Sequence, residues 1–71
     1  MSKQNQSLSK NLKRFREEKG LSQDRLAKLA NIANNTIIKI EQGGNINPRL
    51  DTLKKIAKAL GISVDDLIDG S

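Results

Sequence analysis

Asn34, Asn35, Ile38 and Lys39 fall within six residues, at a spacing that gathers them on one side of a helix. Together they offer what the edge of a base pair asks for. An asparagine carboxamide pairs in bidentate fashion with adenine, a lysine ammonium donates to guanine, and an isoleucine meets a thymine methyl. Ile38 has other readings: a neighbouring helix or a second copy covers it, or it is one of the scattered apolar residues every surface carries. The chemistry on offer is recognition, without bond making. The chain contains no cysteine and no histidine, which removes thiolate nucleophiles, disulfides, the usual zinc sites and a histidine general base. No catalysis, metal or cofactor is expected.

Presenting those four side chains requires a short helix seated on another. Residues 22–43, SQDRLAKLANIANNTIIKIEQG, have that form. Apolar or small residues at Leu26, Ala27, Ala30, Ile32, Ile37 and Ile40 mark where two helices crossing steeply must touch, the pattern of a helix-turn-helix. Ser22 is an N-cap and Asp24 suits the first turn of a helix over 23–30, whose apolar side is Leu26, Ala27, Leu29 and Ala30. Asn31 tolerates the left-handed backbone that ends such a helix. A second helix over 34–42 turns Ile37 and Ile40 inward. Asn34 has two readings, because Ala33 cannot supply a side-chain cap: either Asn34 reads a base, or its amide caps the helix and Asn35 becomes the better reader.

The rest of the 71 residues reads as helix as well, since no segment shows the alternation or hairpin dipeptides of strands. The polar stretch 1–7 is expected to be a disordered tail, followed by one domain over 8–71. Leu8, Leu12 and Phe15 recur at helical spacing over residues 8–18 and face a core, with Lys10, Lys13 and Arg14 outward. Two glycines, two asparagines and the only proline make 43–48 a loop. Leu50, Leu53, Ile56, Ala57 and Leu60 form a stripe that Gly61 terminates, and Ser63 with Asp66 opens a last short helix through Leu67 and Ile68. The expected fold is all-α, a compact bundle of five helices.

Charge divides the chain. The net charge is +5, yet all 13 Lys and Arg lie in residues 1–58, while residues 59–71 hold only Asp65, Asp66 and Asp69. A polyanion can engage the basic part while the acidic end points away. The expected phosphate contacts are Gln23 at a helix start, Thr36 on the flank of the reading helix, Asn45, Asn47 and Arg49 in and after the loop, and Lys10 and Lys13 on the first helix. Solvated surface lysine and an ordinary connector are the plainer readings of the lysines and the loop. Arg16 and Glu41 lack opposite charges at the favoured local spacing and are expected to pair, locking the first helix to the third. No stretch approaches the ~20 apolar residues of a membrane span, and the polar start lacks a hydrophobic signal core, so a cytoplasmic, nucleoid-associated protein is expected.

The stretches LKRFREEKGLSQDRLAKLA, IIKIEQG and NPRLDTLKKIAKALGISVDDLI resemble, in order and spacing, the phage Cro and lambda-repressor-like helix-turn-helix family over roughly residues 8–70. By that resemblance Gln23 binds phosphate and braces the reading helix, Asn34, Asn35 and Lys39 lie in the major groove, Arg16 pairs with Glu41, and the loop from Gly43 to Arg49 holds the backbone. The family has glycine where this chain has Asn31 and a hydroxyl residue where it has Ala33. A two-fold partner is expected both from the resemblance and because one short helix reaches few bases, with Ile62, Val64, Leu67 and Ile68 as interface. The resulting expectation is a transcriptional regulator that binds a symmetric double-stranded DNA operator as a homodimer. The alternative is a protein-interaction subunit, such as an antitoxin or accessory module, that keeps the fold.

Overall fold

Where several of the helices begin and end is dictated by a few polar and flexible residues. In the computed structural model, which describes residues 4–44 and 48–70, five helices follow one another: α1 (Gln4–Glu18), α2 (Gln23–Ala30), α3 (Asn34–Glu41), α4 (Leu50–Leu60) and α5 (Val64–Asp69). There is no strand among the described residues. Ser22 caps α2 by accepting from the Arg25 N–H at 3.0 Å. Ser63 caps α5 in a reciprocal box, accepting from the Asp66 N–H at 2.9 Å while its own N–H donates to the Asp66 carboxylate.

Two helices end alike. Asn31 at φ 60° and Gly61 at φ 73° take the left-handed conformation, and the following residue donates back five positions, Ile32 to the Ala27 carbonyl and Ile62 to that of Ala57. Each reversal folds an isoleucine back onto the core. Asparagine serves in place of glycine at the first site because its short polar side chain tolerates that region.

The core is built from Leu12 of α1, Leu26 of α2, Ile37 and Ile40 of α3, Ile56 and Leu60 of α4 and Leu67 of α5, all with 1% exposure or less. Ala27 and Ala30 are also buried, and their small size lets α3 approach α2 closely. α1 packs on α3 and α5, α2 on α3 and α4, and α4 on α5.

Several expectations need correction. α1 starts at Gln4, a turn upstream of Leu8, so residues 4–7 of the expected tail are helical, while residues 1–3 of it lie outside the described residues. Gln, Asn and Ser allow an established helix to extend, and no Gly or Pro interrupts it. Leu29 and Leu50 were expected on buried faces yet are 53% and 58% exposed. Leu29 sits on the edge of its helix away from the Leu26–Ala30 line, and Leu50 is the first residue of α4. Phe15 is only half buried, with the Arg14 guanidinium 4.7 Å above its ring.

A polar clasp holds α5 to α1. The nearly buried Asn11 carboxamide donates to the Leu67 carbonyl at 2.9 Å and to that of Ile68 at 3.1 Å, and Arg14 donates to the Gly70 carbonyl at 2.7 Å. These bonds satisfy carbonyls that a helix C-terminus leaves without partners. Gly70 is at φ +81°, and a Cβ there would stand 2.6 Å from Asn11 Oδ1. Gly70→Ala is therefore expected to destabilise the domain by at least the ~1–2 kcal/mol that an L-residue loses in the left-handed region. At about 4–8 °C per kcal/mol for a domain of this size, a thermal melt resolves it readily. An unchanged midpoint would show that the clasp is not closed in solution.

Candidate nucleic-acid interface

α3 opens without a side-chain cap. Ala33, extended at φ −70° and ψ 142°, is the N-cap, and its carbonyl accepts from the Thr36 N–H at 3.0 Å. Asn34 is thus the first helical residue, which removes the reading in which its amide caps the helix. Ile37 and Ile40 root α3 in the core, while Asn34, Asn35 and Lys39 are exposed. Ile38 and Thr36 are half buried. Ile38 belongs to neither the core nor its packed margin, so it contributes an apolar patch between polar neighbours. The outer side of α3 is not covered by the described chain. Gln42, the exposed C-cap, lies one turn beyond Ile38 and extends this face. Sequence reasoning passed over it, although its i+4 spacing from Ile38 is the signal that would have included it.

The far end of α3 is held by a buried polar hub. Arg16 Nε donates to Glu41 Oε2 at 2.6 Å and Nη2 to Oε1 at 3.0 Å, a two-pronged ion pair whose side chains are 11% and 5% exposed. Gln23 Nε2 donates to Glu41 Oε1 at 3.0 Å, and Arg16 Nη1 to the Leu21 carbonyl at 2.6 Å. The Ser9 hydroxyl donates to the Glu41 carbonyl. One carboxylate thereby ties α1, the α1–α2 turn and the start of α2 to the end of α3. The hydrogen bonds it donates to Glu41, followed by the charge of that carboxylate, hold the Arg16 guanidinium above its ordinary pKa against the opposing effect of burial. Stability that depends on a cation with a raised pKa is lost only as pH rises through that value, so no accessible alkaline pH discharges the pair. The expected pairing of Arg16 and Glu41 is present.

The expected phosphate contacts are distributed unevenly. Gln23 is half buried, and its carboxamide retains an oxygen and a second N–H beyond the bond to Glu41. Lys10 and Lys13 are exposed on α1, and Arg49, the exposed N-cap of α4, makes no capping bond with its side chain. Asn45 and Asn47 lie outside the described residues. Of the expected self-association residues, Leu67 has no exposure, because it fills the core where α5 meets α1 and α4, and so cannot form an interface. Ile62 and Val64 are half buried against the core, and Ile68 is 44% exposed. No helix among the described residues is long and apolar enough to cross a membrane.

This geometry leaves the outer face of α3 exposed on a helix-turn-helix whose inner side is rooted in the core. Residues 12–67 match the helix-turn-helix family, and the chain belongs to it. It is 34% identical over 62 residues to the HTH-type transcriptional regulator SinR of Bacillus subtilis, spanning 87% of this chain and 56% of SinR. The restriction-modification controller protein C.AhdI from Aeromonas hydrophila superposes with a TM-score of 0.83 at 32% identity, over 89% of this chain and 94% of that one. The hydroxypropylphosphonic acid epoxidase from S. wedmorenis carries a similar region, with a TM-score of 0.81 at 26% identity, over 96% of this chain and 36% of the epoxidase. The chain thus spans about half the length of the curated regulator it matches. Transcriptional regulators such as SinR are a non-enzymatic class.

Proposed function

We propose that this chain is a sequence-specific double-stranded DNA-binding transcriptional regulator that lays α3 in the major groove of a two-fold symmetric operator as a homodimer. The observation that carries this reading is the combination on α3 of an outer face bearing Asn34, Asn35 and Lys39, exposed, and an inner face fixed by Ile37, Ile40 and the Glu41 hub. A reader must be polar outside and immobile beneath, since base contacts require fixed geometry. In this proposal Asn34, Asn35 and Lys39 meet base edges and Ile38 meets a thymine methyl. Gln23, Thr36, Lys10, Lys13 and Arg49 meet phosphates, together with Asn45 and Asn47. Ile62, Val64 and Ile68 remain as dimer contacts, and the protein works at the nucleoid.

Selection of bound sequences from random DNA, repeated at two salt concentrations, tests this reading. A palindromic motif with half-sites about 34 Å apart is expected. Enrichment of no motif would refute it. Arg49→Ala is expected to weaken binding to all sequences alike and to reduce the slope of log affinity against log salt by about 0.9, the contribution of one phosphate contact on duplex DNA. A changed base preference would move Arg49 out of the backbone-contacting set.

The epoxidase supports a second reading. There a region of this fold forms about a third of an enzyme, so the fold can serve as an accessory module. On that reading the side chains on the outside of α3 are dispensable, which separates the two.

A further inference from the structure

A groove of about 430 Å³ lies between the end of α2 and the second half of α4, lined by Leu29, Ala30, Asn31, Lys55, Lys58 and Ala59. Leu29 is one of the few large apolar residues left exposed, at 53%. Lys55, Lys58 and Ala59 sit at i, i+3 and i+4 on one side of α4, so the apolar floor is edged by two ammonium groups. Another exposed strip has the opposite charge, with its two aspartates four residues apart where the two lysines are three apart. Asp65, Ile68 and Asp69 lie at i, i+3 and i+4 on α5, all three exposed, with Ile68 at 44%. An isoleucine between two carboxylates matches a leucine and alanine floor between two ammonium groups, in both hydropathy and charge.

We propose that the α2–α4 groove is the receptor for α5 of a second copy of this chain, with Ile68 seated on Leu29 and Ala59 and with Asp65 and Asp69 facing Lys58 and Lys55. This deepens the homodimer reading and rests on it: in a two-fold dimer each copy offers both its strip and its groove, so the contact occurs twice. Lys55 has a loose local partner in Asp51 at 3.7 Å, an exposed i,i+4 pair of little strength that an incoming carboxylate can displace. Ion pairs at the rim set register and salt dependence, and the apolar centre supplies the attraction.

The test uses two charge-swapped proteins, Lys55→Glu/Lys58→Glu and Asp65→Lys/Asp69→Lys, followed by sedimentation of each alone and of the two mixed. Alone, each presents like charge at strip and groove, and its self-association is expected to fall at least tenfold. Mixed, every strip again faces a groove of opposite charge, and 1:1 association returns. Raising the salt weakens the wild-type complex. Leu29→Gln, at a half-exposed position, removes the floor without touching a charge and is also expected to weaken it, with circular dichroism melts confirming that each variant is folded. If Lys55→Glu/Lys58→Glu or Leu29→Gln, shown to be folded, associates like the wild type, the groove is not the receptor even though the dimer exists. If the wild type is monomeric at every concentration, the homodimer reading itself fails.

Discussion

Glu41→Ala is expected to lower the midpoint of thermal unfolding more than any surface substitution in this chain, and Arg16→Met/Glu41→Leu to recover most of the loss. The reason lies in what each change leaves behind. With Glu41 truncated, the Arg16 guanidinium remains in a site where its side chain is 11% exposed, with only the Leu21 carbonyl as partner. Stranding one member of a buried pair costs about 3–5 kcal/mol. A domain of this length has only about 0.05–0.15 kcal/mol per residue of net stability, so the loss approaches the whole. Removing both charges and filling the volume with apolar side chains eliminates the desolvation penalty along with the attraction, and such replacements are often neutral or stabilising. A calorimetric midpoint for Glu41→Ala within about 3 °C of wild type, which corresponds to less than ~1 kcal/mol, would show the hub to be solvated and weak. Where the domain stays folded, Gln23 also loses its partner, so Glu41→Gln is the better protein for binding measurements. Its one carbonyl oxygen, placed at Oε1, still accepts from Arg16 Nη2 and Gln23, while its NH2 faces Arg16 Nε and the Arg16 charge stays unpaired, so part of the stability loss is expected to remain.

The helix boundaries were legible because they are local. Ser22, Asn31, Gly61 and Ser63 act within a few residues of themselves, and each does in the structure what its type predicts. The inward residues of α3 were legible for the same reason, since Ile37 and Ile40 are the apolar residues that share a side. The pairing of Arg16 with Glu41 bridges 25 residues, yet the lack of an opposite charge at the favoured helical spacing of either exposed it. What could not be read depends on which element packs beyond a helix edge. Leu29, Leu50 and Leu67 are the same residue type at helical spacing, and only the placement of α4 and α5 separates the exposed first two from the buried third. The Asn11 clasp joins positions 56 residues apart through backbone carbonyls, which carry no sequence signature. Gln23 shows a limit of a different kind. A carboxamide at the start of α2 suits both a phosphate and the Glu41 carboxylate, and the two roles are compatible because its second N–H points elsewhere than the first.

The largest expected effect on recognition comes from Asn35→Ala/Lys39→Ala. Both side chains are exposed, so their removal creates no cavity and strands no partner, and surface changes of that kind usually stay within about 0.5 kcal/mol of wild-type stability. Alanine is also the best helix former, which offsets any lost local contact in α3. Each good base contact discriminates by about 1–3 kcal/mol, so the pair is worth roughly 2–6 kcal/mol, or about 30-fold to 10⁴-fold in affinity for the preferred site. Binding to random sequence depends on phosphate neutralisation and should fall far less, by at most the share of one ammonium. The signature is therefore a collapse of the ratio of specific to non-specific binding at an unchanged melting midpoint. Equal losses on preferred and random DNA would place Lys39 on the backbone and leave Asn35 without a reading role. Retention of the ratio would mean that the outer side of α3 does not read sequence at all, and the accessory-module reading would then become the stronger one, because the fold would be intact while its most exposed polar face did nothing on DNA.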